Sequence, residues 1–413
     1  MNRLCIPMLA LCACALADNA LWVDCERGSA LAPCSQAQPC NSLLLALTQL
    51  QASNDTISTI WMAGVCIENE SIVLPRLSAV TIASRDPGKR ARLQWNGAAG
   101  DSGMWVSAGG FVLRDLEFVG AHTALSLILT SPLLIERCAF RDNVNGVQLS
   151  SSTGATVDAT LSDVEFTRHR ETALFVGAHM NLRLVDVSFV DNRNEGANGV
   201  LDVGVDSNTG GSLSLDRVRF VRNVRTVPNE LAAAGSLIFA RDLSAVVLRD
   251  VRFENNSVVL AVVQTTKMDM LIVGAVLRVR AAAIVAERVH FEHTTLGTSE
   301  SARGLWAFVR VVDGGLVQLV AQNTTALSDF SMRESVVALE FGSFSLGGAV
   351  IGLEAPLLAV LAPRAIVADL RLKNNAVRAS AQLLNSLQGG LCQITQLARA
   401  SNISVVGNSI RID

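Results

Sequence analysis

The stretch that decides the fold is "LRDVRFENNSVVLAVV", residues 248–263, which sets an Arg-Asp pair inside an apolar run and brings Phe253 to Asn256 three residues later. Nearly the same phrase recurs along the chain. FVLRDLEF ends at Phe118, LLIERCAF at Phe140, ATLSDVEF at Phe166, LRLVDVSF at Phe189, LSLDRVRF at Phe220, VVLRDVRF at Phe253 and AIVAERVHF at Phe291. Successive phenylalanines lie 22, 26, 23, 31, 33 and 38 residues apart. A period in the twenties, stretched at some units, is the mark of a solenoid whose extra residues form loops.

The columns set the local geometry. Two residues before each Phe stand Leu116, Cys138, Val164, Val187, Val218, Val251 and Val289, and five before stand Leu113, Ile135, Leu161, Leu184, Leu215, Leu248 and Ala286. Side chains on one face of a strand lie an even number of residues apart. These two apolar columns differ by three, so the chain must turn a corner between them. Every copy carries a charge at that corner: Asp115, Arg137, Asp163, Asp186, Arg217, Asp250 and Arg288. A helix would bury an i, i+3, i+4 stripe instead. A second corner follows the Phe, with Asn143, Asn192, Asn223 and Asn256, joined by Asn375 in "LRLKNN". Asn tolerates left-handed backbone angles, and its amide can bond the same amide one turn away. The expected fold is all-β: a right-handed parallel β-helix of fourteen to sixteen coils if a coil averages about 25 residues, with like side chains stacked at about 4.8 Å.

Composition agrees. Of the 413 residues 50% are hydrophobic and 17% charged, with no Tyr and 14 Phe, so the core rests on aliphatic side chains. The net charge is −3 and no basic tract is present, which gives no electrostatic basis for binding nucleic acid. The opening "MNRLCIPMLALCACALA" has one positive charge, an apolar run and a small-x-small ending, so residues 1–17 read as a secretory signal. Residues 18–75 then form an amino-terminal cap and first coil, and 76–413 the β-helix. Of the 9 cysteines, Cys25, Cys34, Cys40 and Cys66 crowd near the mature start as a disulfide staple of undetermined pairing, while Cys138 sits at an apolar repeat position. Acceptor triplets for N-linked glycan occur at Asn54, Asn69, Asn255, Asn323 and Asn402.

At the amino end "PCNSLLLALTQLQ" (39–51) has helical spacing at Leu43, Leu44, Leu47 and Leu50, suited to a lid on the first coil. Strand-like alternation follows, with Gly64 and Pro75 marking turns. Residues 341–363 are long enough to span a membrane, but Glu354 and Pro356 lie near the middle. An acid at the bilayer centre costs about 3 kcal/mol, so this segment reads as two buried coils and no transmembrane span is expected. Residues 380–396 have no clear period, and "ARASNISVVGNSIRID" at the end reads as a last thin coil.

The segment Trp22 to Ser84, with "LWVDC", "PCNSLLLAL" and "IWMAGVCIENESIVL", resembles the opening region of secreted right-handed β-helix proteins of the pectin-lyase-like superfamily, with Cys66 in place of the usual aromatic. The four F-x-x-N copies and "GGAV" (347–350) resemble the repeats of chlamydial polymorphic outer-membrane proteins, which are adhesins. The first resemblance implies a fold that hosts lyases, hydrolases and esterases. The Asn-Thr-Asp, Asp-Asp, His-Gly and Arg-Ile-Lys strings of polygalacturonases are absent, as are the esterase strings Gln-Asp-Thr and Gly-Arg-Pro-Trp. For a pectate-lyase-like site the nearest acids and base are Asp163, Asp186 and Arg217. The five histidines (His122, His169, His179, His290 and His293) show no metal-binding spacing, so neither metal nor other cofactor is expected.

The expectation is therefore a secreted or cell-surface module without a recognisable catalytic set, binding a polysaccharide or a surface protein. The alternative is a carbohydrate-active enzyme with a divergent groove around Asp158, Asp163, Asp186 and Arg217.

Overall fold

The computed structural model describes residues 20–412 except 53–58, 70, 78, 97–101, 153, 196–197, 205–209, 229–235, 262–267, 273–274, 299–306, 312–314, 341–348, 355–356, 381–382 and 389–390. The signal segment 1–17, the Asn54 triplet and half of "GGAV" lie outside the described residues.

The chain is a right-handed parallel β-helix with a disulfide-stapled amino-terminal cap. Three faces run through it. Face A contains Leu133–Glu136, Val157–Ser162, Met180–Val185 and Ser212–Asp216 and stacks the Leu113, Ile135, Leu161, Leu184, Leu215, Leu248, Ala286 column in register. Face B contains Ala139–Arg141, Glu165–Thr167, Ser188–Val190 and Arg219–Val221 and stacks the phenylalanines. Face C, with Thr123–Leu129, Asn145–Ser151, Leu174–Val176 and Leu201–Val203, closes the coil with Leu127, Leu149, Val176 and Val203.

Thirteen strands follow one another in face A among the described residues. Twelve steps of strand spacing make a rod of about 58 Å, somewhat shorter than the expected fourteen to sixteen coils because later coils are longer than 25 residues. The added length builds strands, not only loops. From Arg193–Asn194 onward a fourth face appears, including Val224–Pro228, Ser257–Ala261 and Ala376–Ser380, and from Met268–Ile272 a fifth. Ala349–Glu354 belongs to the fifth face and Leu358–Leu361 to face C, so the membrane-length segment supplies two faces of one coil rather than two coils. The region without clear period forms strands Leu383–Gln388 and Cys392–Ile394, and the last coil is present as Leu397–Ser401, Ser404–Val406 and Ser409–Ile412.

The seven rings from Phe118 to Phe291 stack with centroids 4.3–5.2 Å apart and planes within 12°. Each offset pair adds about 0.5–1.5 kcal/mol beyond burial. Met332 takes the next position, and Phe330 shifts to the Val289 column, where its ring meets Phe291 tilted.

The three-residue offset is explained by the backbone. The charged corner residues from Asp115 to Arg288 all have φ between +52° and +55°, and Gly64 occupies an earlier corner at φ +78°. One left-handed residue reverses the facing of the strand without breaking the parallel ladder. At the second corner the left-handed residue is not the Asn but the one before it: Asp142, Arg168, Asp191, Arg222 and Asn255. The Asn turns inward. The Asn192 amide donates to the Phe166 carbonyl (3.1 Å) and to Asn223 Oδ1 (2.8 Å), and Asn223 does the same with Phe189 (2.9 Å) and Asn256 (3.0 Å). Asn143, Asn375 and Asn408 make the corresponding bond to Phe118, Met332 and Leu372. The amides hold backbone carbonyls that would otherwise be buried without partners.

His169 interrupts this ladder. It is fully buried, and its ring nitrogens face the carbonyls of Phe140 and Asn143 outside hydrogen-bond geometry. Burial pushes its pKa down to about 4.

The amino end is closed. Helix α1 (Leu43–Ala52) buries Leu43, Ala46, Leu47 and Leu50 against the first coil. The outer edge of Ala20–Asp24 is covered by a loop through Trp22 N to Cys34 O (2.7 Å) and Asp24 N to Cys40 O (2.8 Å). Disulfides join Cys25 to Cys66 and Cys34 to Cys40. Pro75, expected at a turn, lies inside the strand Ile72–Leu77, where an irregular pairing between Leu74 and Leu77 tolerates its missing N–H.

Two outcomes follow. Phe220→Ala opens a gap in the ring stack and is expected to lower stability by about 3–5 kcal/mol in urea unfolding. His169 is neutral when folded, with a pKa below its unfolded value of about 6.5. Its contribution is therefore intact above pH 6.5 and is lost as pH falls toward 4, by about 3 kcal/mol. His169→Asn should complete the ladder and remove that part of the acid sensitivity, read as the difference between parent and variant unfolding curves at pH 7 and pH 4.

Candidate functional site

A groove of about 640 Å³ follows the first corner, between faces A and B. Corner residues Asp163, Asp186, Arg217 and Asp250 form one wall, and the outward side chains of face B, Glu165, Ser188, Arg219 and Arg252, form the other, with Arg90 at one end. Parallel register delivers them: Glu165, Ser188, Arg219, Arg252 and His290 occupy one column of successive coils.

Most of the charges are engaged. Arg217 grips Asp186 through Nε (2.7 Å) and Nη2 (2.9 Å), and Arg288 grips Asp250 in the same way (2.5 and 2.9 Å). Arg137 does likewise with Asp115 (2.8 and 2.9 Å). The pairs Arg217–Asp186 and Arg288–Asp250, open to solvent, each contribute less than about 1 kcal/mol, but they fix the carboxylates' charge. The guanidinium of Arg217 holds Asp186, and that of Arg288 holds Asp250, below the usual carboxylate range. Burial alone would raise Glu165, but bonds from Arg141 (2.6 Å) and Thr167 (2.9 Å), with Arg90 nearby, hold it low as well. Three groups remain: the carboxylate of Asp163 and the guanidiniums of Arg219 and Arg252 have no hydrogen-bond or ion-pair partner among the described residues.

Of the four residues expected to line a groove, the structure brings Asp163, Asp186 and Arg217 together. Asp158 does not join them; it points from face A and accepts from Asn181 Nδ2 at 2.8 Å. Arg219 and Arg252 were not among the expected residues, although each stands just before a repeat phenylalanine, in the column next to the charged corner. His290 lies next in that column, its Nδ1 2.7 Å from Ser331 Oγ. Cys138 is buried and its thiol is pushed up to about 12 by burial, as befits a packing residue.

A second polar cluster is sealed inside. Arg225 occupies a fourth-face position that Val258 and Leu296 fill in later coils, and its guanidinium bonds Asn194. Burial pushes the nearby Asp202 up to about 6, against the pull of Arg241 and Arg225. At 1% exposure Asp202 is closed to a ligand. The acceptor asparagines Asn69, Asn255, Asn323 and Asn402 are exposed, and Asn402 donates to Asp369 (2.9 Å).

No family model matches the chain, and no curated protein matches it. Among solved structures it is similar to the GH136 lacto-N-biosidase from Eubacterium ramulus. The selenomethionine derivative gives a TM-score of 0.42 at 11% identity, covering 95% of this chain and 68% of that one, and the native protein a TM-score of 0.21 with the same identity and coverage.

The corner separates structural from functional roles at Asp163. Asp163→Val forces a β-branched residue into the left-handed region and should cost about 1–2 kcal/mol. Asp163→Gly should leave stability unchanged or raise it by up to about 1 kcal/mol while deleting the carboxylate. Thermal unfolding of both variants checks this.

Proposed function

We propose that the protein is a glycan-binding β-helix that holds its ligand in the first-corner groove and does not cleave it. The reading rests on one observation: in a groove where neighbouring charges cancel in pairs, Asp163 at its corner and Arg219 and Arg252 on the adjoining strands of face B stand unpaired. A carboxylate accepts from sugar hydroxyls, guanidiniums donate to ring and hydroxyl oxygens, and the volume lies within the usual range for ligand pockets. Binding is favoured over hydrolysis because Glu165, Asp186 and Asp250 are all held toward the ionised form, whereas glycoside hydrolysis requires a carboxyl kept protonated.

A surface, matrix or adhesion role, secretion through the leader at 1–17, glycans at the exposed acceptor asparagines and kinship with pectin-lyase-like or chlamydial repeat proteins belong to the same proposal. Calorimetric titration of the protein with a panel of neutral and acidic oligosaccharides tests it. Binding by at least one member should fall about tenfold in Asp163→Gly and in the Arg219→Ala/Arg252→Ala pair. Release of reducing or unsaturated ends, with or without calcium, would overturn the non-catalytic reading.

A further inference from the structure

At the second corner the same acid-base alternation holds one residue before the amide ladder. Arg168 grips Asp142 (2.6 and 2.6 Å) and Arg222 grips Asp191 (2.7 and 2.8 Å). One residue after the ladder two arginines follow each other with no acid in their column. Val224 is paired with Arg193, and its amide donates to the carbonyl of Asn192, the residue before Arg193. The amide of Arg193 donates in the same way to the carbonyl of His169, the residue before Arg170 (2.8 Å). Arg193 therefore stands directly over Arg170 in the next coil, about 4.8 Å away along the rod.

Both side chains are exposed, and neither guanidinium has a hydrogen-bond or ion-pair partner among the described residues. Like charges directly opposite on adjacent strands destabilise the pair. With Arg168 and Arg222 they line an open pocket of about 450 Å³ whose carboxylate, Asp191, is already taken up by Arg222. Asp191 follows the groove residue Asp186 by five positions, on the far side of the strand Ser188–Val190, so the pocket is separate from the first-corner groove.

We propose that this pocket is a binding site for a sulfate or phosphate group. Two planar guanidinium forks in register present parallel N–H donors to the several acceptor oxygens of one oxyanion. The anion supplies the negative charge that Val144 and Val224, the neighbours of the two arginines in their own column, do not provide. It also relieves the repulsion between Arg170 and Arg193. The group is either a free anion or a substituent of a larger glycan.

Thermal unfolding and calorimetry with sodium sulfate and sodium phosphate, against sodium chloride at matched ionic strength, test the site in the intact protein. Sulfate or phosphate should raise the unfolding midpoint more than chloride does. The Arg170→Ala/Arg193→Ala variant should bind at least tenfold more weakly, while Arg399→Ala, which removes an exposed arginine of the last coil outside both pockets, should respond like the parent. In low salt without sulfate or phosphate, the Arg170→Ala/Arg193→Ala variant should unfold at a higher temperature than the parent, which a lost structural contact would not produce. A sulfated oligosaccharide binding much more tightly than its unsulfated counterpart and than inorganic sulfate identifies a glycan substituent, and affinity equal to inorganic sulfate identifies a free anion. The proposal is overturned if sulfate and phosphate act no differently from chloride, or if the Arg170→Ala/Arg193→Ala variant binds them as the parent does.

Discussion

Parallel strands in register put each side chain on its counterpart one coil along, about 4.8 Å away. A residue type therefore persists in a column only where it tolerates itself or its complement. Phenylalanine tolerates itself by offset stacking, and the seven rings from Phe118 to Phe291 lie within 12° of parallel at every step. Asparagine does so because one amide both donates and accepts, as from Asn192 through Asn223 to Asn256. A charge does not, and along the first corner acids pair with arginines one coil away, Asp115 with Arg137, Asp186 with Arg217 and Asp250 with Arg288, while Asp163 beside Asp186 is left unpaired.

The same constraint shaped what was legible in the sequence. The Phe column, the charged corner and the odd offset between the apolar columns are self-similar features, and they located the strands, the first turn and the recurring Asn. The staple cysteines were legible by crowding, though not their pairing, since Cys25–Cys66 and Cys34–Cys40 depend on where the loop folds back across the first strand. A repeat shows which residue recurs, not which of two neighbours carries the left-handed angle, and at the second corner that angle falls on the residue before the Asn. The extra faces were missed because fourth-face strands such as Val224–Pro228 begin partway along the rod, so their column is short.

Ligand-binding candidates were harder to read because they are departures from the pattern. Asp163 and Asp186 stood out as stacked acids, and three of the four expected groove residues do converge. Arg219 and Arg252, like Arg170 and Arg193, are neighbours only in the third dimension, separated by a full coil of sequence. Register brings each pair together, and the arginines around them, Arg217, Arg168 and Arg222, are taken up by aspartates. His169 is a third departure, a ring placed where an amide belongs and sealed from water.

Departures of this kind are tolerable because the rod distributes its stability. Each coil contacts only its neighbours, so a mismatch lowers the stability of two interfaces and leaves the rest intact. The ring stack and amide ladder continue on both sides of His169, through Phe140 and Asn143 toward the amino end and Phe189 and Asn192 toward the carboxyl end. Like-charged arginines in register can therefore persist in a fold whose core is fixed elsewhere. That separation between a self-complementary interior and a surface column free to break its own rule is what lets a repetitive chain carry specific sites.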